Sequence, residues 1–412
     1  MSVYRVIEQT DDQGRVVSRS IESAQPNEFD ELAKQPNVTR TPGMIDLYAR
    51  LCEPGLTRKG SIATETQAAF ANGVTGLVCA PDTNPIIDTT STVELIRQST
   101  KSAGPVQVLP MGALTRALEG QQLSEMATLS TAGVVAFSQA DTPLDNTGVL
   151  LSAMEYAATF DFTLSLTPRD GMIAPNGCAH DGATASRLGL PGIPVVAETA
   201  ALTRLLELAK STGARLHLSR LSSARAVGLV RAAKTSGLQV TADVAIHHLY
   251  FSDEQIEGFD TNFHSIVPFR SALDRQALRE GVADGTIDSI CSDHSPQDLD
   301  SKLAPFPNSA PGLNALDMFL PLLLGLQKVT GLSEQQLFKC ASTNPATIVQ
   351  QDIACFGEVL VDTNSSLCLR ESALLSNGMN TPLIDQRSLF GITGEDIELV
   401  GKVLAIKLPP HS

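Results

Sequence analysis

From Pro42 to about residue 350, short apolar runs rich in β-branched residues alternate with segments whose apolar positions recur every three or four residues. The runs GMIDLYARL (43–51), VTGLVCAP (74–81), VQVLPMGAL (106–114), GVVAFSQ (133–139), DFTLSLTP (161–168), RLHLSRLS (215–222), LQVTADVAI (238–246) and IDSICSDH (287–294) predict eight strands. Between them, SIATETQAAFAN (61–72), TGVLLSAMEYAATF (147–160) and ETAALTRLLELAKSTG (198–213) predict amphipathic helices. Regular β/α alternation of this kind predicts a (β/α)8 TIM-like barrel over residues 42–351. An open doubly wound sheet is the competing architecture, but no G-x-G-x-x-G follows a strand.

The flanks follow a different pattern. SVYRVIEQ (2–9), GEVLVDTNSSLCLRE (357–371) and LVGKVLAIKL (399–408) are strand-like with little helix between them, and the stretch after the first run reads as a polar loop. Residues 1–41 and 352–412 are therefore expected to form one small β-sandwich domain beside the barrel.

Composition narrows the functional classes. The chain has 412 residues, 42% hydrophobic and 18% charged, enough to bury a large core without disulfides or structural metals. Its net charge of −15 argues against nucleic acid and against an anionic membrane surface as partners. Seven scattered cysteines without a C-x-x-C pair, and a polar start with no leader pattern, suit reduced thiols in a cytoplasmic protein. The run LDMFLPLLLGL (316–326) is too short to span a bilayer.

The chemistry centres on PGMIDLYARLCEPG (42–55), where Tyr48, Arg50 and Cys52 alternate and are expected on one face of a strand. Together with APDTNPIID (80–88), SRLGLPGIPVVAE (186–198), SDHSPQ (292–297), APFPNSAPGLNALDMFLPLLL (304–324) and STNPATI (342–348), this segment resembles, in order, the motifs of the dihydroorotases of the amidohydrolase superfamily. That resemblance implies a barrel of the amidohydrolase type whose strand tips would bind one or two divalent metals. The metal histidines of the family's H-x-H fall on Tyr48 and Arg50, and the bridging carboxylate falls near Gln139 or Ala140. Two further histidines fall on Thr167 and Arg220, leaving the aspartate of D-H as Asp293. The substrate-binding Arg and Asn fall on Cys52 and Asp82, and the last histidine of D-H-A-P-H on Gln297. Such a set offers too few imidazole, carboxylate or thiolate donors for a metal, so none is expected, nor any other cofactor.

These residues admit other readings. Cys52 as a nucleophile activated by arginines stands against Cys52 as a space-filler. Asp293 with Arg50 or Arg220 as an acid–base site stands against a structural ion pair. His294 is expected to face the same pocket. His247 and His248 are adjacent on a predicted strand, face opposite ways and read as structural. His180, with Cys178 and Asp181, reads as a solvated loop rather than a metal site. Arg225, Arg231 and Lys234 read as the solvated face of a helix or an interface rim.

A dihydroorotase framework with lost metal histidines is similar to the noncatalytic dihydroorotase-like proteins that some bacteria pair with aspartate transcarbamoylase. That similarity implies a pseudoenzyme that binds the transcarbamoylase catalytic chain in a hetero-oligomer, with six copies of each as the typical arrangement. A divergent hydrolase of cyclic amides and a sensor holding a small anion between Arg50 and Arg220 are the alternatives.

Overall fold

The computed structural model describes residues 1–410. Eight parallel strands form the barrel: β1 (Met44–Ala49), β2 (Val74–Cys79), β3 (Gln107–Ala113), β4 (Ala136–Ser138), β5 (Thr163–Leu166), β6 (Arg215–Leu218), β7 (Val240–Ala245) and β8 (Ser289–Cys291). They neighbour one another in chain order, and each of the eight apolar runs contributes one strand. The seam between β8 and β1 closes at the mouth, where the Arg50 N–H donates to the His294 carbonyl at 2.9 Å and Ala49 bridges His294 in parallel.

Helices pack outside the barrel, and three of them lie over the segments 61–72, 147–160 and 198–213 that the three- and four-residue spacing predicts. They include α1 (Ile62–Ala71), α2 (Thr90–Ala103), α3 (Met126–Thr131), α4 (Thr147–Phe160), α5 (Val195–Thr212), α6 (Ala224–Thr235) and α7 (Ala272–Ala283), with one further short helix (Ala183–Leu188) between α4 and α5. Side-chain caps set several of their starts: Asn146 accepts the Gly148 and Val149 N–H groups at the head of α4, and Ser223 that of Ala226 in α6. The helix faces and strand backs form one continuous core, while Ile45, Val78, Met111, Ala136, Ala245, Cys291 and Phe356 fill the barrel interior. The seven cysteines are free and six of them are buried. No helix among the described residues is long and apolar enough to cross a membrane.

Both ends of the chain join in one five-stranded antiparallel sheet, in the order Val16–Ala24, Ser2–Thr10, Val400–Leu408, Glu358–Ser366, Val38–Pro42. The small β domain thus exists, but as one sheet rather than a sandwich of two. Val359 and Val361 face the barrel core, whereas Leu360 packs with Val3, Phe29 and Ala405 under a short helix (Pro26–Leu32). That helix supplies the second layer. The expected polar loop is also structured, since it contains a strand, the helix and another strand. Its strand escapes the apolar pattern because Arg19 points inward, 8% exposed, and pairs with the fully buried Asp317 of the barrel domain.

Candidate functional site

The tips of the barrel strands carry a closed network of opposite charges. Tyr48 and Arg50 come from the end of β1, Asp82 follows β2, Asp141 follows β4, Thr167 follows β5, Arg220 follows β6 and Asp293 follows β8. Three tips turn sharply inward: Ala140, Arg220 and Asp293 have φ of 51°, 59° and 49°, left-handed values that cost a non-glycine residue about 1 kcal/mol each. Local strain of this size at several tips is held by the contacts that follow.

Arg220 is 1% exposed and sits at the centre. Its Nη1 donates to Asp293 Oδ1 at 2.7 Å, and its Nη2 to Asp141 Oδ1 at 2.7 Å and Thr167 Oγ1 at 2.6 Å. Its guanidinium carbon lies 3.8 Å from the centroid of the buried Tyr48 ring, a cation–π contact in a desolvated setting. Arg50 donates from Nε to Asp82 Oδ2 at 2.8 Å, and from Nη2 to Tyr48 Oη at 3.2 Å and to Asp141. Asp141 therefore bridges both arginines.

Three carboxylates share two guanidinium groups, and the proton affinities reflect that competition. Burial alone would push the Asp141 carboxyl up, but Arg220 and Arg50 hold it well below the usual carboxylate range. Asp293 is instead pushed up, first by burial and then by the like charge of Asp141, although Arg220 opposes both. Burial acts to lower the pKa of each arginine, and the carboxylates around them, Asp141 foremost, more than reverse it. Burial drives the Tyr48 hydroxyl far up, so it stays a neutral phenol.

A second buried layer supports this one. Asp243 accepts the Arg220 N–H at 2.5 Å and pairs with His217 Nε2 at 3.0 Å, while His217 Nδ1 meets Thr241 Oγ1 at 2.9 Å. Asp46 accepts the Ser292 N–H at 2.8 Å and the Ser292 hydroxyl, and burial raises its carboxyl to about 6.

The expected pocket residues separate into two groups. Tyr48, Arg50, Asp82, Thr167, Arg220 and Asp293 converge; Cys52, Gln139, Gln297 and His294 do not take part in the network. β1 ends at Ala49, so the alternation stops before Cys52, which turns with φ 59°. Burial and the Glu65 charge push the Cys52 thiol up to about 12, which favours its reading as a space-filler over an activated nucleophile. Gln139 faces another loop, accepting from Thr115 Oγ1 at 3.0 Å and donating to the Leu118 carbonyl at 2.8 Å. Gln297 braces the chain near residue 311, donating from Nε2 to the Pro311 carbonyl at 2.9 Å. His294 turns away from the mouth: its Nε2 meets Glu65 Oε2 at 2.8 Å, and its Nδ1 accepts the Ala315 N–H at 3.1 Å. Sequence reasoning missed Asp141, one position beyond the Gln139–Ala140 pair. The signal was the only carboxylate in FSQAD.

Three further expectations change. His247 and His248 lie on a single 3-10 turn (Ile246–Leu249), not on a strand. Burial lowers them to about 3 and 4, so both rings are neutral; His247 stacks on Phe251, and His248 packs against Phe269 at a tilt of 36°. His180 is not in a solvated loop: it lies in a two-residue strand, is 9% exposed and meets Arg270 Nη1 at 3.3 Å. Arg231 and Lys234 are tethered to Asp284 and Asp288 at 2.6 Å each, while Arg225 is exposed.

Comparison with known proteins places these features in context. A family model described as Dihydro-orotase-like matches residues 39–226. A dihydroorotase-like protein from Pseudomonas putida is 44% identical over 313 residues, covering 76% of this chain and 74% of that protein. One from Pseudomonas aeruginosa is 42% identical over 349 residues, covering 83% and 82%. A dihydroorotase from Thermoanaerobacter sp. is 35% identical over 352 residues, covering 84% and 82%. Among solved structures, the L-hydantoinase of Arthrobacter aurescens superposes with a TM-score of 0.77 at 18% identity over 97% of this chain and 90% of its own. Saccharomyces cerevisiae dihydroorotase gives 0.65 at 13% identity over 91% and 100%. At those identities the likeness shows the barrel fold.

Proposed function

The chain belongs to the dihydroorotase-like family, and from that premise we propose that it is a noncatalytic member acting in pyrimidine biosynthesis as a structural partner of aspartate transcarbamoylase. The observation that carries the catalytic half of this reading is the Arg50–Asp141–Arg220 network. A divalent metal at these strand tips needs several free anionic or imidazole donors. Here Asp82, Asp141 and Asp293 are each committed to guanidinium, and a dication would have to displace two positive charges from the carboxylates it sought. The donor set does not fit the metal that the family resemblance implies. The same network disfavours an anion held between Arg50 and Arg220, because the cluster already carries one negative charge more than it has positive charges.

The associative half draws its support from the similarity to noncatalytic dihydroorotase-like proteins paired with a transcarbamoylase. A barrel that keeps its fold while its strand tips are filled by this ion network still offers its outer surface to a partner. The test is co-expression with the aspartate transcarbamoylase catalytic chain of the same genome. Expected are co-purification as one hetero-oligomer and loss of transcarbamoylase assembly or activity when this chain is withheld. A transcarbamoylase that assembles normally alone and ignores this chain refutes the proposal.

A second reading, a divergent hydrolase of cyclic amides, is favoured by the relatives named dihydroorotase, at 35% identity. It requires turnover of dihydroorotate or a hydantoin by purified protein supplied with zinc or manganese. Turnover that disappears in Asp293→Asn would replace the noncatalytic reading with this one.

A further inference from the structure

At the end of the barrel opposite the strand tips, the first residues of β5, β6 and β7 and the last turn of the helix Thr343–Ile348 surround a hollow of ≈ 440 Å³. That volume lies in the range of small-molecule sites. Its rim carries one ion pair: Arg215 donates to Asp161 from Nε at 3.3 Å and from Nη2 at 3.0 Å. Gln350 Nε2 adds a further bond to the same carboxylate at 2.9 Å. The pair balances, so the rim has no net charge. Buried Leu216, Val240 and Ile348 make up the apolar part of the lining.

Three threonines also line the hollow, and each has already committed its single hydroxyl proton. Thr163 Oγ1 donates to the Ile348 carbonyl at 2.9 Å, and Thr347 Oγ1 to the Thr343 carbonyl at 3.0 Å. Thr241 Oγ1 lies 2.9 Å from His217 Nδ1, while His217 Nε2 meets Asp243 Oδ2 at 3.0 Å. A carboxylate only accepts, so in the neutral ring Nε2 carries the hydrogen, Nδ1 accepts and Thr241 donates. Thr163 is shut in at 1% exposure, but Thr241 is half-buried and Thr347 is exposed. The two accessible hydroxyls therefore offer lone pairs and no proton.

A wall of acceptors is answered by a ligand rich in donors. An ammonium head has three N–H groups and no acceptor, and each bond it makes is charge-assisted. A net charge of −15 on the chain favours a cation over an anion at long range. A neutral alcohol brings one donor and gains nothing from that field.

We propose that this hollow binds a small alkylammonium ion, its head on the Thr241 and Thr347 oxygens and its carbon tail along Leu216, Val240 and Ile348. The site lies at the far end of the barrel from the Arg50–Arg220 network, and it stands whether or not the chain is catalytic or binds a transcarbamoylase.

The test titrates the intact chain with n-butylammonium, with n-butyltrimethylammonium and with n-butanol at matched ionic strength. Calorimetry and threonine methyl resonances are the readouts. The second compound keeps the charge and the tail but has no N–H; the third keeps the tail without the charge. Expected is saturable butylammonium binding that moves the Thr241 and Thr347 methyl resonances, with both other compounds at least tenfold weaker. Thr347→Val should weaken butylammonium by roughly tenfold, the loss of one hydrogen bond to a charged group. Thr347→Ser should retain the binding. Because the Thr347 hydroxyl bonds only to its own helix, the ligand-free melting temperature of Thr347→Val should stay near the parent's, which separates a binding defect from a folding one. Absence of saturation, or saturation unchanged in Thr347→Val, overturns the proposal. Butyltrimethylammonium or butanol binding as tightly as butylammonium overturns the assignment to an N–H cation.

Discussion

Replacing Arg220 with methionine tests the reading of the mouth as a network that stabilises the fold. The substitution keeps a long apolar stem and removes the charge that Asp141, Asp293 and Thr167 share at 2.6–2.7 Å. Three buried or half-buried carboxylates then face Arg50 alone. Breaking one side of a buried ion pair costs about 3–5 kcal/mol, because the partner is left charged in a poorly solvated place. Against a total stability of about 5–15 kcal/mol, that is a large loss. Its pH dependence identifies the cause. In the parent, burial pushes Asp141 up but Arg220 and Arg50 hold it below its ordinary 3.8, so its contribution is present above that pH and is lost as pH falls further. In the variant the carboxyls rise above their unfolded values, the native state binds more protons, and stability is lost as pH rises. Urea unfolding at pH 5 and pH 8 should thus show the variant nearer to the parent at the lower pH. Adding Asp141→Asn and Asp293→Asn should restore much of the loss at pH 8. A loss below about 1 kcal/mol at both pH values, or an equal loss at both, would show that the arginine is not compensating buried charge there.

Three other outcomes follow from buried polar groups. Asp317→Asn should cost about 3–5 kcal/mol in denaturant unfolding, since it strips the partner from Arg19 and weakens the acceptor of the Leu375 and Ser376 N–H groups that join the two domains. Alkylation of native protein at neutral pH, read by peptide mass spectrometry, should label the exposed Cys355 and spare Cys52, whose thiol is buried and pushed up to about 12. Burial lowers Lys302 to about 7 from 10.5, so the native state binds fewer protons than the unfolded chain between those values. Stability should therefore rise with pH across that window, by at most about 5 kcal/mol, and the rise should vanish in Lys302→Met. The two carbonyls that accept from its Nζ at 2.9 Å, Thr261 and Gly312, will reduce the amplitude without changing its sign.

The barrel was legible because its strands are buried on both faces and its helices on one, and each condition writes its own period into the chain. The segment around Arg19 was not, because an inward arginine paired with an aspartate some 300 positions away breaks the period-two pattern. Nothing local announces the partner. The site divides in the same way. Tyr48, Arg50 and Thr167 lie at or just past strand ends, where register fixes their direction, and Arg220 and Asp293 lie two residues past their strands, where a left-handed φ of their own turns them inward. Cys52 and Gln139 lie at or beside a left-handed residue, Cys52 itself and Ala140, which re-aims the side chain, while Gln297 sits in the loop past β8, bonded to the Pro311 carbonyl. Ala140 is such a residue, and it is why the bridging carboxylate is Asp141 rather than a group at the position that alignment of motifs suggested.

That displacement bears on what the network replaces. A metal held by residues from several strands is also a cross-link, and removing it leaves converging acidic groups that repel one another at 332/(εr) kcal/mol per pair. The arginines at the Tyr48–Arg50 and Arg220 tips answer that repulsion: Arg220 joins the ends of β4, β5, β6 and β8, and Arg50 joins those of β1, β2 and β4. Six of the eight strand tips are tied through two guanidinium groups, with Tyr48 packed beneath them. Asp293 is thus a member of the cross-link, through its pair with Arg220. A rigid mouth also holds the surrounding loops in one arrangement, which lowers the ordering cost that a partner docking on them would otherwise meet. Under the proposed noncatalytic reading, loss of chemistry and gain of a fixed surface would be the same substitution, and Arg220→Met is then expected to disturb assembly with the proposed transcarbamoylase partner even under conditions where the chain remains folded.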